Sequence, residues 1–236
     1  QSPEPAPPTD WFLPVCPRLG ASLPAFSPTV LRMDRLGVPD SEALALDEAV
    51  AQICGPGASF SSSQRTAMAT MARRIWMDGL ASSTADVIAE AVARLTLDAH
   101  RVRPEWIASV SDRGVTPIEL VELLGVVSST VAVDTFCFAL GVAPWPLTEP
   151  PGNGEPHGEV DPAATNNGGW LPTVGRAWPT NALSALPSDE RAMHRLHAAL
   201  YLAMDQMGDM DAHRGLHRTQ MELVAARTSL LNECFF

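Results

Sequence analysis

The stretch from Thr116 to Leu140, TPIELVELLGVVSSTVAVDTFCFAL, constrains the fold of this chain more than any other feature. It carries a full set of helix-start signals: Thr116 as the N-cap, Pro117 at the first helical position and Glu119 as the partner of a capping box. Gly141 follows as a natural stop. The sequence therefore predicts one long helix from Thr116 to Leu140.

Helical spacing also dominates the rest of the chain, and no convincing alternating strand is present. Ser41 is predicted to cap the first helix, and Pro104 opens a short one at a favoured first-turn position. The predicted fold class is all-α. The predicted helices cover 41–54, 62–80, 83–98, 104–112, 116–140, 187–207 and a stretch from about Leu216.

Residues 143–187 differ in character, because they contain nine prolines, many Gly and Asn residues, and almost no periodicity. Such a segment is typical of a linker or of an arm that wraps an interface. A weak repeat spans it: WFLPV at Trp11 resembles WLPTV at Trp170, and residues 22–36 align with 182–196. The repeat predicts two related helical units. The resulting divisions are a Pro-rich N-terminal arm (1–20), a first unit (21–142), the linker or arm (143–187) and the start of a second unit (188–236).

Composition narrows the function classes. The chain has a formal net charge of −11, a mean hydropathy of +0.03 and 16 basic residues, all of them arginine. This acidic balance argues against nucleic acid or an anionic membrane as the main partner. No apolar run is expected to reach the roughly 18 residues that span a bilayer. The opening QSPEPAPPTD is expected to be a processed or incomplete tail, and four widely separated cysteines indicate a reducing cytoplasm.

The last sixteen residues, MELVAARTSLLNECFF, run from an apolar helix pattern into a cysteine. Glu222 and Cys234 are twelve residues apart, and an unbroken helix would separate them by about 18 Å. They can meet only if the helix ends near Leu231–Asn232 and the chain turns. Cys234 would then begin a new helix, where the helix dipole lowers the pKa of a thiol.

This ending resembles the approach to the active site of the AhpD-like alkylhydroperoxidases, within the carboxymuconolactone decarboxylase superfamily. The pattern in that family is a glutamate, eleven residues, and then Cys-x-x-Cys-x-x-x-His. Residues 83–142, with AEAVARLT and VRPEWIASVSDRGVTPIELVELLGVVSSTVAVDTFCFALGV, resemble the C-terminal half of such a unit. Together the two regions cover about a third of the chain.

The resemblance implies a thiol-dependent peroxidase or disulfide oxidoreductase built from helical units. Glu222 would be the proton-relay carboxylate and Cys234 the resolving thiol. The attacking cysteine would lie three residues after Cys234, and the histidine four residues further. The polypeptide is expected to continue past Phe236; cleavage or truncation there, or a selenocysteine codon read as a stop, are the alternatives.

The implied substrate is a hydroperoxide and the implied electron donor is a thiol or disulfide, with no organic cofactor and no metal. A homo-oligomer or a partner subunit is expected to cover apolar faces of the second unit. The alternative function is a non-catalytic helical assembly or partner-binding module. A decarboxylase-like or isomerase-like activity on a small cyclic acid is a third option, since the superfamily also hosts it without cysteines.

The first unit is expected to be degenerate. Aligning 60–80 with 216–236 places Thr66 against Glu222 and Asp78 against Cys234, and puts Ala81 and Ala85 where the family has cysteine and histidine. The first unit would then be a structural half without the thiol pair.

Other candidate residues have a structural explanation. His213 and His217 have the i, i+4 spacing of a metal clamp, but a solvated polar helix end is the preferred interpretation. Cys137 is predicted to be a small buried hydrophobe. The twelve-residue spacing of Glu42 and Cys54 is treated as coincidence, and nothing near Cys16 would activate its thiol.

Overall fold

The computed structural model of the chain describes residues 38–79, 85–148 and 154–234. Within these ranges the protein is mostly helical, which confirms the all-α prediction. One small antiparallel hairpin pairs Ala164 with Val174 and Thr165 with Thr173; each of its strands has two residues, too few to show an alternating pattern in the sequence. The helices are α1 Asp40–Cys54, α2 Ser62–Asp78, α3 Val87–Leu97, α4 Pro104–Asp112, α5 Pro117–Leu140, α6 Pro187–Leu200 and α7 Arg218–Leu231; the strands are β1 Ala164–Thr165 and β2 Thr173–Val174.

Helix α5 begins and ends where its local signals predict. The Thr116 side chain accepts a hydrogen bond from the Glu119 amide at 3.2 Å, and the Glu119 carboxylate accepts one from the Thr116 amide at 2.6 Å. Gly141 has φ +68°, a left-handed conformation that costs little without a Cβ, and its amide donates to the carbonyl of Phe138. The predicted capping box and stop are confirmed.

The other helix ends show where local signals were insufficient. The N-cap of α1 is Pro39 and not Ser41. The Ser41 hydroxyl donates a hydrogen bond to the Glu42 carboxylate and does not accept one from a backbone amide of the first turn. α6 ends at Leu200, earlier than predicted, and a 3-10 turn follows at Met204–Gln206. The N-cap of α1 differs from the predicted one by two residues, within the usual uncertainty of helix ends, whereas α6 ends seven residues before the predicted 207 because the chain leaves helical geometry at Tyr201.

Among the described residues, α5 is the one helix long and apolar enough to cross a membrane, with a mean hydropathy of 1.8 over 18 residues. The expectation that no run reaches this length was wrong. Here α5 forms the centre of the helical body and packs against α1, α2, α3 and α6. Length and composition alone do not separate such a core helix from a membrane span.

One large apolar cluster forms the core. It joins Leu46 of α1, Ala69 of α2, Val92 of α3, Leu123 of α5 and Leu196 of α6, all of them buried. Fully burying a valine or leucine side chain contributes roughly 1.5–3 kcal/mol, so a shared cluster strongly favours keeping these helices together. Helix α6, which follows the Pro-rich segment, therefore packs on the same core as the helices that precede that segment.

The described part of 143–187 follows the surface of this body. The Trp145 indole donates to the Asp47 carboxylate at 3.0 Å, and the Trp145 carbonyl accepts from Arg73 at 2.7 Å. The His157 amide donates to the Gly57 carbonyl at 2.9 Å. Of the two alternatives, a linker or a wrapping arm, these contacts favour the arm.

Three predictions lie outside the described residues: the Pro-rich arm over 1–20, the environment of Cys16, and the 22–36 half of the repeat.

Candidate functional site

Helix α7 and the turn after it carry the residues predicted for thiol chemistry. The helix begins after His217, whose ring accepts from the Thr219 amide, and it ends at Leu231. Glu233 then adopts φ +53°, and the Cys234 amide donates to the Ser229 carbonyl at 3.0 Å. The predicted break near Leu231–Asn232 is confirmed.

Glu222 lies in the second turn of α7, in a polar cluster. Its Oε1 accepts a hydrogen bond from the Tyr201 hydroxyl at 2.7 Å. The same oxygen lies 2.7 Å from Arg218 Nε in an ion pair, although the Nε–H group does not point at it well enough for a hydrogen bond. The Arg218 side chain is 4% exposed, so the carboxylate neutralises a buried cation. Burial, and then the hydrogen bond to Glu222, raise the pKa of the Tyr201 hydroxyl. The Arg218 guanidinium also donates to the carbonyls of Gln206, Met207 and Asp209.

Cys234 lies beyond the other end of α7 and is exposed. Nine residues of helix separate Glu222 from Leu231, an axial distance of about 14 Å. The described partners of the Glu222 carboxylate are Tyr201 and Arg218, so the structure does not bring this carboxylate to the thiol. The pairing of Glu222 with Cys234 stays a prediction.

A histidine from a distant part of the chain lies next to the thiol turn. His100 Nε2 is 3.4 Å from Glu233 Oε2, and Glu233 immediately precedes Cys234. His100 belongs to the 3-10 turn Ala99–Arg101 that follows α3. Sequence reasoning missed this contact, because nothing local connects residues so far apart.

The other described cysteines are inaccessible. Cys54 is fully buried and Cys137 is 1% exposed, which confirms the prediction for Cys137. Burial also raises the pKa of the Cys137 thiol, so the thiolate that reacts with oxidants is disfavoured there. Cys234 is thus the accessible thiol among the three cysteines that the structure describes.

His213 and His217 do not share a helix face. His217 is the N-cap of α7, and His213 precedes Gly215, which has φ +72°. In the described ranges, no group of three His, Cys, Asp or Glu side chains could hold a metal ion.

Helices α2 and α7 share a register that fits the predicted alignment of 60–80 with 216–236. Ser61 and Gln64 form a capping box before α2, and His217 and Gln220 form one at the same offset before α7. In that alignment the buried Ser62 and Arg65 of α2 correspond to Arg218 and Met221, the two buried residues of α7. Thr66 and Asp78, aligned with Glu222 and Cys234, lie within α2; Ala81 lies outside the described residues, and Ala85 precedes α3.

A buried charge cluster was not predicted. Arg65, with its side chain 1% exposed, contacts Glu122 Oε1 at 2.8 Å and Asp189 Oδ1 at 2.6 Å. The amides of Ser59 and Phe60 also donate to Glu122, at 2.7 and 3.3 Å, so that both carboxylate oxygens accept hydrogen bonds. Burial opposes the charge on Arg65, but Asp189 and Glu122 outweigh it and raise the pKa of the guanidinium.

This cluster ties α2, α5 and α6 together and is closed to solvent. A second pair, Arg73 with Asp134, joins α2 to α5 through two hydrogen bonds from Nε and one from Nη2. The only sequence signal for either was a charged residue inside an apolar helical pattern. Each ion pair joins helices of the body, and the Arg65 cluster does so with side chains that are almost fully buried.

Comparison of the chain with protein-family models, with curated proteins and with solved structures finds no match.

Proposed function

We propose that this protein is a thiol-dependent oxidoreductase of the AhpD-like type, which reduces hydroperoxides with electrons from a thiol donor. One observation carries the proposal: Cys234 is exposed at the turn that ends α7, whereas Cys54 and Cys137 are buried. A reacting thiol must be accessible, and Cys234 meets that requirement.

The proposed chemistry has three steps. A hydroperoxide oxidises the thiolate of a second cysteine, the partner of Cys234 in the proposed Cys-x-x-Cys pair, to a sulfenic acid, and the departing alkoxide takes up a proton to become an alcohol. The Cys234 thiolate attacks that sulfenic sulfur, so an S–S bond forms and hydroxide leaves as water after taking a proton. A dithiol donor then reduces the disulfide by two electrons.

The proposal assigns the proton relay to Glu222. In the described contacts its carboxylate accepts from Tyr201 and neutralises Arg218, so a relay role requires a proton path from this cluster to the thiol. A Glu222→Gln variant, which cannot carry the proton, distinguishes a role in proton transfer from a purely structural role. If its disulfide forms at the unchanged rate, Glu222 serves only Arg218 and Tyr201.

The division into two related units belongs to this proposal. The equivalent capping boxes of α2 and α7, with Gln64 and Gln220 at the same position, support it.

The test uses the full-length protein, a hydroperoxide and a dithiol donor. We expect hydroperoxide-dependent oxidation of the donor, lost in Cys234→Ser and retained in the matched Cys137→Ser control. In the Cys234→Ser variant a sulfenic acid should accumulate and be trapped by a 1,3-dione reagent. A wild-type protein that consumes no hydroperoxide with any dithiol would refute the proposal.

A second candidate function is a helical partner-binding module, favoured by the outer face of α7. Leu223 is 71% exposed, Leu230 68% and Val224 59%. Apolar side chains grouped on one helix face mark a surface that another protein element covers. If this function holds, Leu223→Ser with Leu230→Ser should reduce association without lowering the thermal stability of the α1–α6 body.

A further inference from the structure

Three of the nine methionines of the chain lie in the segment that joins α6 to α7. Met204, Met207 and Met210 follow one another at intervals of three residues, and His213 continues the same spacing. The 3-10 turn Met204–Gln206 lies in this segment, and the Met207 amide donates to the Met204 carbonyl at 3.4 Å. Residues three apart eclipse one another in 3-10 geometry, so the side chains of Met204 and Met207 leave the turn on one side.

The rest of the segment stays tightly wound. The Asp209 amide donates to the Gln206 carbonyl at 3.0 Å, and the Ala212 amide donates to the Asp209 carbonyl at 3.3 Å, so hydrogen bonds of the same span continue. The buried Arg218 side chain donates to the carbonyls of Gln206, Met207 and Asp209, which fixes the loop to the start of α7. The three methionines and the histidine therefore belong to one wound and anchored loop.

Packing accounts for one of these methionines. Met207 is partly buried and packs with Leu202 and Met221. Met204 and Met210 belong to none of the apolar clusters that the described residues form, and Met210 is 60% exposed. An exposed methionine sulfur keeps its lone pairs available, and a thioether is a soft ligand that selects Cu(I).

His213 is held in the tautomer that a metal ligand needs. Its Nδ1 lies 3.2 Å from the carbonyl oxygen of Asp211. A carbonyl oxygen only accepts hydrogen bonds, so in the neutral ring Nδ1 carries the proton and Nε2 keeps a free lone pair. In most metal-binding histidines one ring nitrogen donates to such an oxygen while the other binds the ion. His217 has the opposite arrangement, because its Nδ1 accepts from the Thr219 amide at 3.3 Å.

We propose that this loop binds one Cu(I) ion through three thioether sulfurs and one imidazole nitrogen, those of Met204, Met207, Met210 and His213. The thioethers do not have to lose a proton before they bind. Methionine has three rotatable bonds, which lets sulfurs on neighbouring turns gather around one ion. Neither the thiol chemistry nor the partner-binding candidate enters this inference.

The composition of the loop favours a soft cation over a hard one. Asp205, Asp209 and Asp211 are exposed, and their negative charge attracts cations to the loop. The Arg218 cation is balanced by Glu222. Hard ions such as Ca2+ require several oxygen ligands, and no group of three His, Cys, Asp or Glu side chains in the described ranges is placed to hold a metal. The sulfur ligands are therefore what would decide the choice of ion.

The test measures Cu(I) uptake by the full-length chain in anaerobic competition with bicinchoninate. Cys16→Ser and Cys234→Ser are introduced first, because thiolates also bind Cu(I) and would mask a thioether site. We expect this parent protein to take up one equivalent of Cu(I). With ¹³C at the methionine methyl groups, the NMR signals of Met204, Met207 and Met210 should shift on binding.

Met204→Leu, Met210→Leu and His213→Gln should each weaken Cu(I) binding at least about tenfold, because disturbing only the hydrogen-bond partner of a metal ligand already costs about 10–100-fold. Leucine keeps the size and apolar character of methionine, so thermal unfolding without copper should not change. The matched controls are Met77→Leu on α2 and His217→Asn, which keeps an N-cap oxygen. Both should bind Cu(I) as the parent does.

A parent protein that takes no Cu(I) from bicinchoninate would overturn the proposal. Met204→Leu and Met210→Leu variants that bind as tightly as the parent would overturn it as well, and so would an equal loss in the Met77→Leu control. Peroxide reduction is measured separately on the protein with its cysteines, so failure of either proposal leaves the other standing.

Discussion

Arg65 and Asp189 are 124 residues apart in the chain, yet Arg65 Nη2 lies 2.6 Å from Asp189 Oδ1. The contact brings the first turn of α6 into the body formed by α2 and α5. The partial positive charge at the N-terminus of α6 also stabilises the Asp189 carboxylate, which lies in the first turn of that helix. The same guanidinium holds Glu122, so one cation balances two buried carboxylates.

Replacing Arg65 by methionine should destabilise the protein strongly. Removing one member of a buried ionic cluster leaves uncompensated charge and costs about 3–5 kcal/mol. Chemical denaturation measures the loss. The control is Arg195→Met, because Arg195 forms an exposed pair with Glu48 and such pairs contribute about 0–1 kcal/mol. Equal losses in the two variants would contradict a special role for the buried cluster.

Gly57 should not tolerate a side chain. A Cβ at this position would overlap the Glu122 carboxylate and the Arg65 guanidinium, so Gly57→Ala forces the cluster apart. Overpacking of this kind costs about 1–3 kcal/mol, measured as a shift of the denaturation midpoint. Gly208→Ala is the control, since its Cβ would meet no atom within 4 Å. A Gly57→Ala variant as stable as the Gly208→Ala variant would show that the cluster can adjust.

Tyr201 is the single tyrosine of the chain, so the ultraviolet absorbance of tyrosinate reports its ionisation alone. Burial and Glu222 raise its pKa, and we expect the titration midpoint to lie above that of free tyrosine. Glu222→Gln should lower the midpoint only partly, because burial remains. The pKa of Tyr201 is higher in the folded protein than in the unfolded chain. The contribution of this residue to the free energy of unfolding is therefore complete below the unfolded pKa and is lost as pH rises through the folded pKa.

The control for the titration is Glu233→Gln, which alters an exposed carboxylate near the opposite end of α7. It should leave the midpoint unchanged. A midpoint at the value of free tyrosine in the wild type would contradict the Tyr201–Glu222 contact.

Alkylation of the native protein at neutral pH should modify Cys234 much faster than Cys54 or Cys137. The last two are buried, and the raised pKa of Cys137 leaves little thiolate to react. Peptide mapping by mass spectrometry resolves each cysteine, including Cys16. In denaturant the three rates should converge; native labelling of Cys137 as fast as Cys234 would contradict the described burial.

Local signals located several elements correctly. Thr116, Glu119 and Gly141 set the ends of α5, and Asn232 marks the end of α7, because capping depends on residues within one turn of each other. The burial of Cys137 followed from its place on an apolar helix face.

Contacts between distant segments were beyond sequence reasoning. The prediction for Glu222 joined it to Cys234 by spacing, whereas the hydroxyl that donates to it belongs to Tyr201, which lies before α7. Its ion pair with Arg218 is an i, i+4 contact that the sequence spacing could have indicated. The sequence of the arm over 143–187 has no helical or strand periodicity. It therefore could not predict that this segment contacts Asp47 and Gly57.

The sequence by itself determined that this chain forms helices and where several of them begin and end, because those choices depend on hydrogen bonds within a few residues. Only the tertiary structure decided which carboxylates Arg65 pairs with, which thiol is exposed and which face of α7 stays uncovered. Those outcomes depend on which surfaces lose water when segments more than a hundred residues apart pack together.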